Sequence, residues 1–248
     1  YFRVLGPDGK RLPELRDHMV SLREGGQPVT ITNFKGYGTF ESRTCLLVDT
    51  SGSMRDASGD IGSSSRIAAA QEACRSFLGV VRSNDQIELT EFNNTVKVVS
   101  PLGSDLATIR HGIDRLSPNG ATAWRDAVLN TLQTLARHPG RRTVLLLTDG
   151  QDNCSNSSLA QVAKAANQQQ IPIHTIGLGR REDVDADALA RLANDTGGHF
   201  LLMPNPADLR KLYQDVGTSV QEEVAVTYLS NRKTPDGTRR DVELFVEA

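Results

Sequence analysis

Apolar positions between residues 41 and 221 follow two alternating rhythms. Short runs rich in β-branched and apolar residues stand at 44–48, 86–92, 95–99, 142–147, 171–176 and 199–203, and predict six strands. Several lack polar alternation, as strands buried on both faces do. Between them lie stripes at three- and four-residue steps, the spacing of one helix face. Ile67, Ala70, Cys74, Phe77 and Val81 mark one helix, which Ser64 or Ser65 would cap. Trp124, Val128, Leu132 and Leu135 mark a second that stops at His138-Pro139-Gly140, and Leu189, Leu192 and Ala193 a third that stops at Gly197-Gly198. The cleanest face, Leu209, Leu212, Tyr213, Val216 and Val220, predicts a helix opened by Pro204-Asn205-Pro206. Strands alternating with helices predict an α/β fold, a doubly wound, mostly parallel sheet of six strands covered on both faces.

The two ends lack helical periodicity. Residues 1–40 are dense in Gly and Pro, with strand-like pieces at 2–5, 19–23 and 29–34. Residues 224–229 and 242–246 alternate as strands around the turn signal Pro235-Asp236-Gly237. Two or three strands are marginal without a second layer. Residues 1–40 and 222–248 are therefore expected to join in one small β-sandwich, with the α/β domain of residues 41–221 inserted in it.

Composition narrows the function classes. With 248 residues, 38% of them hydrophobic, the chain can bury roughly three quarters of its unfolded surface. Charged residues make up 23% and the formal net charge is −2, which excludes a strongly basic nucleic-acid binder and a disordered acidic chain. Cys45, Cys74 and Cys154 form no C-x-x-C pair, so neither a disulfide framework nor a cysteine zinc site is expected. The longest apolar runs, 143–147 and 171–176, are strand-length, and no membrane span is expected in this segment. The opening YFRVLGPDGK carries no leader pattern, so the compartment stays open, with a secreted, periplasmic or cell-surface setting preferred.

The chemistry gathers at strand ends. Asp49-Thr50-Ser51-Gly52-Ser53, a D-x-S-x-S pattern, follows the first central strand, at the carboxyl edge where open α/β sheets hold their ligands. Thr148-Asp149-Gly150 follows the fourth strand of the domain, and Asn119-Gly120-Ala121-Thr122 stands before the Trp124 helix. Two carboxylates and three hydroxyls can converge there. A hard cation such as Mg²⁺ wants a near-octahedral shell of oxygens and keeps several waters. Asp49, Ser51, Ser53, Thr122 and Asp149 match that inventory. The two carboxylates only balance the ion's charge, so a Glu or Asp from a partner can complete the shell.

In order and spacing, DTSGSM after the first strand, Gly-Ala-Thr before the third helix, LLLTDG after the fourth strand and IHTIGLG at the fifth resemble the von Willebrand factor type A family. The resemblance covers residues 41–221 and is closest to bacterial members, which carry a stretch like Trp124-Arg125-Asp126-Ala127. It implies a Rossmann-like sheet with one antiparallel edge strand near residues 95–99, and a metal-ion-dependent adhesion site at Asp49, Ser51, Ser53, Thr122 and Asp149. The implied ion is Mg²⁺, with Mn²⁺ or Ca²⁺ as substitutes, and the implied partner is a protein. The sequence departs at Ala121, where the family more often has a second Gly, and in the polar insert at 55–65.

Catalytic readings fare worse. A phosphatase of the haloacid dehalogenase type carries D-x-D after its first strand, but Ser51 stands at the third position. No Gly precedes Ser51 by two residues, so the hydrolase elbow G-x-S-x-G is missing. Gly177-Leu178-Gly179 lacks the third glycine of a dinucleotide loop. Asp56, Asp60, Asp126 and Asp152 read as solvated carboxylates, His174 and His199 as structural, and Cys154 as a loop residue without a role. A non-catalytic, metal-dependent recognition or adhesion module is expected. The alternatives are a scaffold with contacts elsewhere, or a regulatory module of a larger enzyme assembly.

Overall fold

The computed structural model describes residues 2–4, 12, 15–37, 41–56, 65–181, 183–202, 211–212, 223–232 and 240–247. Four strands precede the α/β region: β1 (Phe2–Arg3), β2 (Val20–Glu24), β3 (Gln27–Pro28) and β4 (Thr30–Lys35). The region itself runs β5 (Ser42–Asp49), α1 (Arg66–Leu78), β6 (Gln86–Phe92), β7 (Val96–Gly103), α2 (Leu106–Asp114), α3 (Trp124–Leu135), β8 (Arg141–Thr148), α4 (Leu159–Gln169), β9 (Ile173–Gly177), α5 (Ala186–Thr196) and β10 (Phe200–Leu202). After it come β11 (Glu223–Leu229) and β12 (Val242–Val246).

Contacts divide the chain into two units, 41–215 and the combination of 1–40 with 216–248. The first holds a six-stranded sheet in the order β10-β9-β8-β5-β6-β7. Every neighbouring pair is parallel except β6 with β7, so the antiparallel strand sits at the edge, as the sequence predicts. Side chains of a strand alternate between faces. Cys45 and Leu47 of β5 therefore enter the cluster under α3, α4 and α5, while Leu46 and Val48 turn to the opposite face. All four are fully buried, which is why the strand reads as an unbroken apolar run. Ser65, one of the two serines predicted as the α1 cap, accepts the Ala68 amide at 3.4 Å.

Two helices carry no stripe marked in the sequence reading. α4 buries only Val162, Ala163 and Ala166, and α2 only Ile109, Gly112 and Ile113, so their inner faces are too short and too small to stand out. Of the predicted 209–220 helix, residues 211–212 are helical and Leu212 is buried; the remainder lies outside the described residues, as do most of the 55–65 insert and the Pro235-Asp236-Gly237 turn.

The second unit holds two three-stranded sheets, β1-β11-β4 and β12-β2-β3, each drawing strands from both ends of the chain. They share one apolar cluster built on Leu15, Val20 and Val224, with Phe2, Ile31, Phe34, Leu244 and Val246 packed against it. Glu24 of β2 accepts hydrogen bonds from the Tyr228 and Ser230 hydroxyls and from Arg240, tying the two layers by polar contacts as well.

Candidate metal centre

Strand register brings the acidic residues together. Val48 of β5 lies level with Leu147 of β8, so Asp49 emerges beside Thr148, with Asp149 one residue beyond. Asp49 has no exposed surface. Its Oδ2 accepts the Thr148 hydroxyl at 2.6 Å and its Oδ1 accepts the Ser51 amide at 2.7 Å. That second bond, two residues ahead, turns the chain sharply at the strand end. The turn brings Ser51 Oγ to 3.2 Å from Ser53 Oγ.

The second loop is sewn to the first by backbone. Gly52 N donates to Gly120 O at 2.9 Å and Asn119 N to Thr50 O at 2.6 Å. Gly120 has φ +82°, which favours glycine, and a Cβ there would stand 2.5 Å from Asn94 Oδ1. This fixes Thr122, which is 3% exposed. Its amide donates to Asn153 Oδ1 at 3.0 Å and its carbonyl accepts the Asn153 and Cys154 amides, while its hydroxyl bonds to no described residue.

The third loop is pinned by carboxylates that the sequence reading left as solvated. Asp152 accepts the Arg125 amide at 2.9 Å and both the amide and hydroxyl of Ser155; Asp126 accepts the Asn156 and Ser157 amides at 2.9 and 3.0 Å. Burial works against the charge on each, yet the bonds from Arg125 and Ser155 to Asp152, and from Ser157 and Asn156 to Asp126, hold both carboxyls below their ordinary values. Both are positioning residues for the Thr122 and Asp149 loops. The signal available in the sequence was an Asp just inside a helix start and a second in a Ser/Asn-rich loop, the composition of self-bonded turns.

Arg66, at the first turn of α1, is the group that sequence reasoning missed. Its Nη1 donates to Asp149 Oδ2 at 3.1 Å and its Nη2 to Asp183 Oδ2 at 3.0 Å. Asp149 is 3% exposed, so one of the two buried carboxylates already faces a cation of the chain. Among the described residues no cation pairs with Asp49: burial pushes its carboxyl up to about 7, against the Thr148 hydroxyl and with the charge of Asp149 adding to the rise.

The donor set suits a hard divalent ion. All five predicted groups are oxygens, the donors of a hard ion, and among the described residues no three His, Cys, Asp or Glu side chains gather as a metal-holding group, so two carboxylates and three hydroxyls are the whole of this set. Adjacent ligands of an octahedral Mg²⁺ at about 2.1 Å stand about 3 Å apart. The Ser51–Ser53 spacing of 3.2 Å agrees with that. Asp49, Ser51 and Ser53 are linked directly, Asp149 reaches Asp49 by charge and through Thr148, and Thr122 is held by the backbone of its neighbours.

Comparison with known proteins follows the same lines. Residues 44–151 match the von Willebrand factor type A domain family. Inter-alpha-trypsin inhibitor heavy chain H2 of Sus scrofa is 26% identical over 201 residues, covering 74% of this chain and 21% of that protein. A UPF0353 protein of Mycobacterium leprae is 28% identical over 206 residues, covering 72% of this chain and 59% of the relative. The chain thus spans about a fifth of the length of the heavy chains it matches. Among solved structures, an aerotolerance-related membrane protein from Bacteroides fragilis has a TM-score of 0.63 at 17% identity, over 71% of this chain and 98% of that one. A von Willebrand factor type A protein from Catenulispora acidiphila has a TM-score of 0.62 at 19% identity, over 78% of this chain and 51% of that one. Among the described residues no helix is long and apolar enough to cross a membrane.

Proposed function

Since this chain carries a von Willebrand factor type A domain, a kind of module that generally mediates protein–protein interaction, we propose that it recognises a protein partner through a divalent cation. Asp49, Ser51, Ser53, Thr122 and Asp149 would hold the ion, Mg²⁺ in the first instance and Mn²⁺ or Ca²⁺ in its place. Bound there, the cation supplies Lewis acidity toward a carboxylate from a Glu or Asp of the partner. The chain's own residues supply the rest: three neutral hydroxyls leave the ion's charge undiminished, and the interlocked loops fix the donors before the partner arrives. Side chains of the loops around that edge would select the partner.

The observation that carries this reading is Asp49. It is a fully buried carboxyl beside a second buried carboxylate, met by the Thr148 hydroxyl and by the amide and hydroxyl of Ser51. Burial raises this carboxyl, and an arriving cation would supply the opposite charge that favours its ionised form.

The test is thermal unfolding in EDTA, Mg²⁺, Mn²⁺ and Ca²⁺ for the wild-type chain and Asp49→Ala. Metal at a hundred times its Kd stabilises the native state by about 2.7 kcal/mol. A rise in the wild type alone is expected; an equal rise in Asp49→Ala, or no rise in the wild type even at high metal concentration with acetate added, refutes the site. A second reading, a scaffold with contacts elsewhere, draws support from Arg66, which already neutralises Asp149. Partner binding that survives Asp49→Ala selects it.

A further inference from the structure

Arg66 stands in a place that a metal site has to reckon with. Its side chain is 10% exposed and its two terminal nitrogens go to two different carboxylates, the buried Asp149 and the half-exposed Asp183. The contact is built from three directions. Arg66 opens α1, Asp149 follows β8, and Asp183 lies between β9 and α5. The guanidinium is also seated on Gly179: a Cβ there would lie 3.3 Å from Arg66 Nε and 3.4 Å from Cζ, and φ at Gly179 is +151°. The second glycine of Gly177-Leu178-Gly179 thus suits its place by its backbone φ and by crowding, since a Cβ would stand 3.1 Å from Val184 Cγ2 as well as against the guanidinium.

Two consequences follow from charge and geometry. Arg66 occupies Oδ2 of Asp149 and leaves Oδ1 as the oxygen to face an ion, which makes Asp149 a single-oxygen ligand. It also cancels one of the two buried negative charges. With Asp49 and Asp149 ionised, a cation arriving there meets a net charge of about −1 from these two and Arg66 in place of −2, and once bound it keeps an excess positive charge that the half-exposed, solvent-screened Asp183 offsets only in part. Both effects act in one direction, disfavouring the bare ion and favouring the ion together with an external carboxylate.

We propose that Arg66 is the positioning residue that sets the charge of the metal site, so that cation and partner carboxylate bind cooperatively: weak metal binding alone, tight binding of the pair. Asp183 tempers it, holding the other arm of the guanidinium and returning part of the negative charge. This rests on the metal-dependent reading above and assigns its regulation to residues outside the ligand set.

The experiment is calorimetric titration of the full chain with Mn²⁺ alone, then of the Mn²⁺-loaded protein with acetate as the carboxylate probe, for wild type, Arg66→Gln, Arg66→Lys and Asp183→Asn. One unit charge at a partly screened site changes cation affinity by about tenfold or more. Arg66→Gln is expected to bind Mn²⁺ about tenfold more tightly than wild type and acetate more weakly. Arg66→Lys keeps the charge and is expected to stay near wild type for Mn²⁺. Asp183→Asn is expected to weaken Mn²⁺ by roughly threefold, the opposite sign, since its charge is screened by solvent. A folded Arg66→Gln with unchanged or weaker Mn²⁺ affinity overturns the proposal; should that variant fail to fold, an Asp183→Asn affinity equal to wild type overturns it. Wild type silent toward Mn²⁺ both alone and in the presence of acetate would instead sink the metal-dependent reading itself, and is told apart because no variant is needed to see it.

Discussion

Replacing Thr148 by valine tests the electrostatic core of the site without touching a metal ligand. The hydroxyl has no exposure and two duties: it donates to Asp49 Oδ2 at 2.6 Å and accepts the Gly150 amide at 2.9 Å. Valine has nearly the same shape, so no cavity contributes. Above the value of about 7 to which burial pushes Asp49, at about pH 8.5, the bond goes to an ionised group and contributes about 1.5–3 kcal/mol, and a buried N–H left without an acceptor costs about 1–3 kcal/mol. Both losses come through one atom and overlap, so the expected destabilisation in EDTA is about 3 kcal/mol. The assay is urea unfolding followed by the single tryptophan, Trp124, which is 1% exposed and whose Nε1 donates to Gly150 O at 3.3 Å. It therefore reports on the α/β unit. A double-mutant cycle with Asp49→Asn should return a coupling of about 1.5 kcal/mol or more. A loss under about 1 kcal/mol, or additive single effects, would refute the claim that Thr148 sustains the Asp49 charge.

Other consequences are open to simple measurement. Cys154 is exposed while Cys45 and Cys74 are buried, so one thiol of three should react with a disulfide reagent in the folded chain and the other two only in denaturant. Burial, with the charges of Asp152 and Asp126, raises the Cys154 thiol above its ordinary value, so its reaction at pH 8 should be slower than that of free cysteine and faster in Asp152→Asn; an unchanged rate would count against the effect. Burial drives His174 down to about 3, with the charges of His199 and Arg141 adding, whereas an unfolded histidine titrates near 6.5. Below pH 6.5 the unfolded chain takes up the proton that the native one refuses, so this group lowers stability by up to about 1.4 kcal/mol per pH unit between 6.5 and 3. Stability-versus-pH curves should be flatter over that window in His174→Gln, and parallel curves would contradict this. Gly120→Ala places a side chain at a left-handed φ of +82°, with the exposed Asn94 side chain able to swing aside, and should cost about 1–2 kcal/mol in the same urea assay, against a few tenths for an unconstrained position.

Some of this was written locally. β5 and β8 are legible because parallel strands buried on both faces leave an unbroken apolar signature, and β5 carries Asp49, Ser51 and Ser53 at its end within five consecutive residues. The Ser65 cap and the Gly197-Gly198 stop are likewise short-range chemistry, readable from a few neighbours. α2 and α4 were less legible because each buries only three residues, two of α4's being Ala and one of α2's Gly, too few apolar positions to mark a helical period.

What the chain could not announce is the pairing of distant groups. Arg66 and Asp149 lie 83 positions apart, and nothing near either marks the other as its partner. They meet because β8 is laid beside β5 in a register that puts Thr148 level with Asp49, and because α1 returns across the sheet with its first residue at the same edge. Asp126 and Asp152 show the same division: as letters they are ordinary polar residues, and only the folded loop shows the amides they accept. Local sequence thus determined the donor types and the strand ends that carry them. Their charge balance belongs to tertiary structure, because Coulomb interactions depend on separation in space and on burial, and both are fixed only when the sheet closes.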